Sequence, residues 1–225
     1  MKKTKDICVI GGCGHVGLPL ALCFADKGLD VSVYDINQDS VDMVNAGEMP
    51  FLEEGCEKLL VDRIGKNLHV TTDPTTISDA NFVIIVIGTP VDEFLNPDRV
   101  IFKEFINEYY QYFSDGQTLI LRSTVYPGTS DWLHGYLADK GKSIDVSFCP
   151  ERIAEGKAIE EIFNLPQIVS SYSNEVTLKV SNLFKNLTKD IIELDPTEAE
   201  LAKLYTNSWR YIQFAIANQF YMLAN

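Results

Sequence analysis

The chain has 225 residues, 46% of them hydrophobic and 23% charged, and carries a formal net charge of −13. That is the composition of a globular protein with a sizeable core, and its acidity argues against a nucleic-acid or anionic-membrane surface, either of which needs a basic stripe. Five cysteines without CxxC spacing and three scattered histidines suggest neither a disulfide framework nor a metal site. With no run near the ~18 apolar residues of a membrane span, the expectation is a soluble protein of the reducing cytoplasm.

An apolar run over 7–10 predicts a first strand, and it leads directly into Gly12-Cys13-Gly14-His15-Val16-Gly17 at the head of a helix over 15–27. A second strand, over 31–34, ends at Asp35. Strand, GxGxxG turn, helix and a strand closed by an acid make a dinucleotide-binding unit. Gly12 is expected to permit the tight turn, Gly14 to let a pyrophosphate reach the backbone, and Gly17 to let the helix pack on the strand. The helix start at His15 and Val16 offers amide donors and a positive dipole to phosphates. Asp35 would accept hydrogen bonds from ribose hydroxyls and repel a 2′-phosphate. No arginine follows in Ile36-Asn37-Gln38, so NAD is favoured over NADP, with FAD as a lesser alternative that shares the fingerprint.

Further along, helices are predicted over 38–46, 55–65, 100–112, 129–140 and 174–186, and strands over 68–71, 82–87, 118–121, 145–148, 167–169 and 191–193. Continuous Val/Ile runs alternating with helices imply an α/β fold with a doubly wound, mostly parallel Rossmann-type sheet. Two strand ends carry hydroxyls, at Gly88-Thr89-Pro90 and at Ser123-Thr124-Val125-Tyr126-Pro127-Gly128-Thr129, and each read alone is a turn as readily as a ligand contact. Asp195-Pro196-Thr197-Glu198 then starts a helix as N-cap, N1 and N3. Nothing breaks that helix before Asn225, so residues 1–195 are expected to form the NAD-binding domain and 196–225 the start of a connecting and dimerisation helix ~45 Å long. It stops with neither a glycine nor a basic last turn, as if cut.

Five ordered motifs together bring a family into view. Asn45-Ala46-Gly47 with Pro50-Phe51 and Glu53, then Gly88-Thr89-Pro90, then the Ser123–Thr129 stretch, then Pro150-Glu151-Arg152-Ile153-Ala154-Glu155-Gly156, and finally Glu200-Leu201-Ala202-Lys203-Leu204-Tyr205-Thr206-Asn207 resemble the nucleotide-sugar 6-dehydrogenases. The resemblance covers the whole chain. Pro-Glu-Arg looks more like the UDP-N-acetylmannosamine, or UDP-N-acetylhexosamine, branch than the UDP-glucose branch. It implies oxidation of a sugar C6 alcohol to a carboxylate with two NAD, by way of an aldehyde captured on a cysteine thiolate. It further implies catalytic roles for Lys203, Asn207, Glu151 and Thr124, cofactor contacts at Thr89, Thr124 and Glu155, and a substrate site at Glu151, Arg152, Lys203 and Asn207.

The chemistry fits those residue types. Lys203 and Asn207, four apart on one helix, reach the same side and could stabilise a C6 oxyanion, or the lysine could accept the alcohol proton. Glu151 would steer the hydrolytic water, and Thr124 would help position water and cofactor. By spacing alone, Lys203 and Asn207 read as a solvated surface pair, and Glu151 and Glu155 as a polar loop. Val169-Ser170-Ser171 stands where many members carry a Gly-Gly pair. The family's nucleophilic cysteine lies beyond the Lys203 helix, so this chain alone is expected to be inactive, with Cys149 the nearest substitute. Two other readings stay open: a non-catalytic NAD-binding module that self-associates through its last helix, and a single-step β-hydroxyacid-type dehydrogenase.

Overall fold

The computed structural model describes residues 3–88, 99–154 and 156–224. Thr89 and Glu155, both expected at the cofactor, lie outside the described residues. In the described residues β1 (Lys5–Ile10) and β2 (Val31–Tyr34) flank α1 (Gly17–Asp26). There follow α2 (Gln38–Asn45), α3 (Cys56–Arg63), β3 (Leu68–Thr71), β4 (Ala80–Ile85), α4 (Arg99–Tyr109), β5 (Thr118–Leu121), α5 (Thr129–Asp139) and β6 (Asp145–Phe148). The chain continues through α6 (Ala158–Asn164), β7 (Gln167–Ser171), α7 (Asn174–Phe184), β8 (Ile191–Leu194) and α8 (Pro196–Ala224).

Among the described residues eight strands form one sheet in the order β3-β2-β1-β4-β5-β6-β7-β8. Its pairs are parallel except β6 with β7. The central strands are apolar on both sides because helices cover both faces. One core gathers Leu18, Leu22, Phe24, Leu60 and Phe184 from α1, α3 and α7. The other gathers Phe102, Ile106, Leu133 and Leu137 from α4 and α5, with Ala199 at the root of α8. The sheet is doubly wound, as the sequence predicts.

Three local outcomes differ from the sequence reading. β4 ends at Ile85, not at residue 87, because its neighbour β1 stops at Ile10 where Gly11 turns the chain; Val86 N still donates to Ile10 O at 2.9 Å. The short helix α6 carries no strong sequence signal; its start is held by remote Glu53, whose carboxylate accepts from Gly156 N (2.9 Å) and Ala158 N (2.8 Å). β7 runs opposite to β6 and overlaps it by two pairs, Ser147 with Ser171 and Phe148 with Ser170. Ser170 Oγ donates to Phe148 O at 2.9 Å and Ser147 Oγ to Ser170 O at 2.7 Å, so hydroxyls tie the strands together where a glycine pair was the alternative. β8 follows β7 in parallel, with Ser170 level with Leu194, which starts α8 at the height of the C-terminal ends of the central strands.

α8 runs 29 residues, about 43 Å at 1.5 Å per residue. Only its root is buried. Asp195 N donates to Glu198 at 3.1 Å, half of the capping box the sequence suggests. Beyond residue 207 the helix is exposed, with Trp209 at 62% and Phe214 at 64%. Among the described residues no helix is long and apolar enough to cross a membrane.

Candidate active site

The ends of β1, β4, β5 and β6 converge at one side of the sheet, where a reversal of strand order opens a crevice. A cavity of about 340 Å³ lies there, lined by the glycine turn, residues 86–88 and 122–124, Glu151, Ile153 and Lys203. The glycines divide the work differently from the sequence reading. Gly11, not Gly12, makes the tight turn: its φ is +71°, and a Cβ there would sit 2.5 Å from Val86 O. Gly12 is needed for packing, since a Cβ would meet Val33 Cγ1 at 2.7 Å and Val9 O at 2.9 Å. Gly17 lies against Gly12, where its Cβ would be 2.6 Å from Gly12 Cα, so it does set the approach of helix to strand. Gly14 faces open space, with nothing nearer than Gly11 O at 3.9 Å.

Asp35 follows β2 directly, beside this turn. Its carboxylate accepts from Cys13 N (2.9 Å) and Asn37 N (3.0 Å), so it is fixed at the rim of the turn. His15 also lines the cavity and packs on Phe51, ring centroids 4.0 Å apart. An open glycine face at a helix start, with an anchored acid at the next strand end, fits a dinucleotide: amides for the pyrophosphate and a carboxylate for the ribose.

Lys203 enters the cavity from α8. Its Nζ donates to the main-chain carbonyl of Glu151. Burial first, then the positive charges of Arg122, Arg210 and Arg152, bring its pKa down to about 8. α8 is aimed by Glu200, one turn before Lys203 and 1% exposed. The Glu200 carboxylate accepts from Gly128 N (2.6 Å), Ser130 N (2.9 Å) and Ser130 Oγ (2.7 Å), so it caps the start of α5. Thr124 lines the cavity from the end of β5.

Glu151 departs from a free water-steering carboxylate. One oxygen is paired with the Arg122 guanidinium, and the other accepts from Arg152 N (2.7 Å) and Ile153 N (3.0 Å). Arg152 sends its guanidinium to Pro166 O, away from the cavity, while its carbonyl receives Arg210 at 3.2 Å. Asn207 is exposed, one turn further out than Lys203 and outside the cavity wall. The turn, Asp35, Thr124, Glu151 and Lys203 are thus brought together. Arg122, Glu53 and Glu200 were not expected to have roles. The signal for Glu200 was its helical spacing from Lys203, whereas nothing local marked Arg122.

The five cysteines are unpaired and buried. Burial pushes Cys8, Cys13, Cys23 and Cys56 up to about 12 and Cys149 up to about 11. Cys149 sits beside Ser147 Oγ at 3.3 Å and is 0% exposed, so it is a packing residue. Among the described residues no group of three or more His, Cys, Asp or Glu stands together as a metal site would need.

Sheet order, glycine turn and strand-end acid define a dinucleotide-binding domain of Rossmann type. Residues 5–188 match the model of the UDP-glucose/GDP-mannose dehydrogenase family, NAD binding domain. The chain belongs to that family, and NAD is the cofactor of this domain. It is 31% identical over 222 residues to a UDP-N-acetyl-D-mannosamine dehydrogenase of Methanococcus maripaludis, covering 96% of this chain and 50% of the relative. Among solved structures, the UDP-N-acetylmannosamine dehydrogenase of Pyrococcus horikoshii superimposes with a TM-score of 0.88 at 28% identity, covering 97% of this chain and 54% of that one. GDP-mannose dehydrogenase of Pseudomonas aeruginosa superimposes at 0.86 and 26% identity, over 95% and 51%. The chain spans about half the length of the curated relatives it matches.

Proposed function

We propose that this chain is the NAD-binding portion of a nucleotide-sugar 6-dehydrogenase that takes the C6 alcohol of a UDP-sugar, in the first place a UDP-N-acetylhexosamine, to the uronate in two NAD-dependent steps. The observation that carries the reading is the Lys203 amine in the same cavity as the glycine turn. The UDP-N-acetylmannosamine dehydrogenases among its relatives support the choice of sugar. NAD supplies hydride acceptance when bound; the chain supplies everything around it.

In this reading Gly12, Gly14, His15, Val16 and Gly17 form the pyrophosphate cradle and Asp35 holds the adenosine ribose. Thr89, Thr124 and Glu155 attend the nicotinamide end, and Thr124 also places water. Lys203, its pKa brought down to about 8, accepts the C6 proton or stabilises the oxyanion. Asn207 meets the substrate from the open side of α8, and Arg152 and Glu151 border the sugar. To steer water, Glu151 would have to loosen its hold on Arg122. None of the five thiols suits thioester formation, since each is buried and held protonated. The second oxidation therefore needs a residue this chain does not carry. Residues 196–225 act as a connecting helix and pair two copies of the protein in the cytoplasm.

The test is a titration of the chain with NAD followed by assays with UDP-N-acetylmannosamine, UDP-N-acetylglucosamine and UDP-glucose. NAD binding without sustained NADH release is expected. Steady NADH production by this chain alone would overturn the reading. One NADH per substrate, insensitive to thiol reagents, would favour the single-step dehydrogenase instead.

A further inference from the structure

Arg122 is a charged side chain placed where charge is costly. It follows β5, with its amide donating to Ile85 O (3.1 Å) and its carbonyl receiving Glu151 N (3.3 Å), so its backbone is locked into the sheet on both sides. The side chain is only 3% exposed and lies over the Phe184 ring, 5.2 Å from its centroid. One nitrogen holds the Glu151 carboxylate and another donates to Gln167 Oε1 at 3.0 Å. Gln167 can reach it because β7 begins beyond the end of β6. A buried cation is tolerated only when paired and hydrogen-bonded, and replacement of such a pair by apolar residues is often no less stable. Stability is therefore a weak reason for this pair to be here.

Its position gives a better one. The same Glu151 carboxylate curls back onto the amides of Arg152 and Ile153. That curl leaves the Glu151 carbonyl as the acceptor for Lys203 Nζ. A chain of contacts thus runs from the guanidinium through Glu151 to the amine in the cavity.

We propose that Arg122 is a positioning residue for Lys203: it fixes Glu151, whose carbonyl receives the ammonium, and its charge bears on that ammonium through the same short path. The inference rests on the reading of Lys203 as the amine that serves the C6 alcohol. The charged groups that bear on Lys203 among the described residues are Arg122 after β5, Arg210 on α8 and Arg152 in the loop after β6, while Glu151 meets it through its main-chain carbonyl. Arg122 is the largest electrostatic cause, after burial, of the lowered Lys203 pKa.

The sign of the effect makes it testable in the chain itself. In ¹³C-lysine-labelled protein, assigned with Lys203→Arg, the side-chain titration of Lys203 is followed by NMR. Arg122→Gln removes the cation and leaves the carboxylate, so the midpoint moves up by about one unit, a tenfold change in the neutral fraction at fixed pH below it. Glu151→Gln leaves the cation uncompensated, so the midpoint moves down. A merely structural role would not drive the two variants in opposite directions. If one variant fails to fold, the other still decides, and Arg122→Lys, which keeps the charge, stays within about half a unit of the parent. Midpoints that do not move, or that move the same way in both charge-removing variants, overturn the proposal. NADH assays with UDP-sugars test the function separately, because the titration needs no sugar substrate.

Discussion

A β-carbon at Gly12 would press into Val33 and Val9, whereas one at Gly14 would meet nothing closer than 3.9 Å. The two positions therefore separate fold from function. Gly12→Ala should destabilise the chain by about 1–3 kcal/mol through overpacking, read as a lower Tm. Gly14→Ala should leave Tm nearly unchanged and weaken NAD binding, because under the proposed reading the open face is where a pyrophosphate approaches. Equal loss of Tm in both would refute that division. Lys203 gives a second prediction. Its folded pKa, about 8, lies below the ordinary 10.5, so above pH 8 the unfolded chain holds more protons there and stability rises with pH. Below about pH 8 the penalty on the charged amine is full; it fades between about 8 and 10.5. Lys203→Met should thus gain stability relative to the parent most at pH 7, the gap closing towards pH 10.5. A gap that widens with pH would contradict the sign. At this scale the sequence showed the residue types but not their surroundings. Asp35 and Lys203 were legible as candidates, but the Glu151 pairing was not, because Arg122 reaches it from 29 residues away.

Helix starts far apart in sequence are joined by buried carboxylates: Glu53 to α6 and Glu200 to α5. Such links give Glu53 and Glu200 a structural part: each carboxylate holds a helix start in place. Glu200→Ala leaves Gly128 N and Ser130 N without their acceptor. It should cost about 3 kcal/mol, at the upper end for hydrogen bonds to a charged group, and loosen the root of α8. Hydrogen exchange of residues 199–206 should rise together with the fall in Tm; unchanged exchange there would show that the packing of Ala199 alone seats the helix. Long periodic elements were legible because period and caps are local properties: α7 and β6 lie where the sequence puts them. α6 was not, since seven residues carry little periodicity and their start is stabilised from residue 53. The reversed sense of β7 was equally hidden, because strand direction follows from connection and packing and leaves no mark in a short apolar run.

Over the whole molecule, the alternation of apolar runs and amphipathic helices was enough to read a doubly wound sheet, and the order of motifs was enough to read the family. What the exposed outer part of α8 meets was suggested only by its length and aromatic content. Tyr205, Trp209, Tyr211 and Phe214 are all more than 60% exposed, and exposed apolar surface of this extent marks an interaction site. Under the proposed pairing, the chain should sediment as a concentration-dependent dimer, and Trp209→Asp with Phe214→Glu should shift it to monomer. A monomer at every concentration would remove the support for pairing through this helix.

The two-pair overlap between β6 and β7 acts as a gauge. It sets the level of β8, hence the level at which α8 departs, hence the depth to which Lys203 reaches into the crevice. A slip of one residue along that seam would shift β7 by about 3.3 Å and turn its Ser and Val side chains to opposite faces. The hydroxyl ties at Ser147 and Ser170 close off that slip. Distance along a strand edge is thereby converted into the placement of an amine.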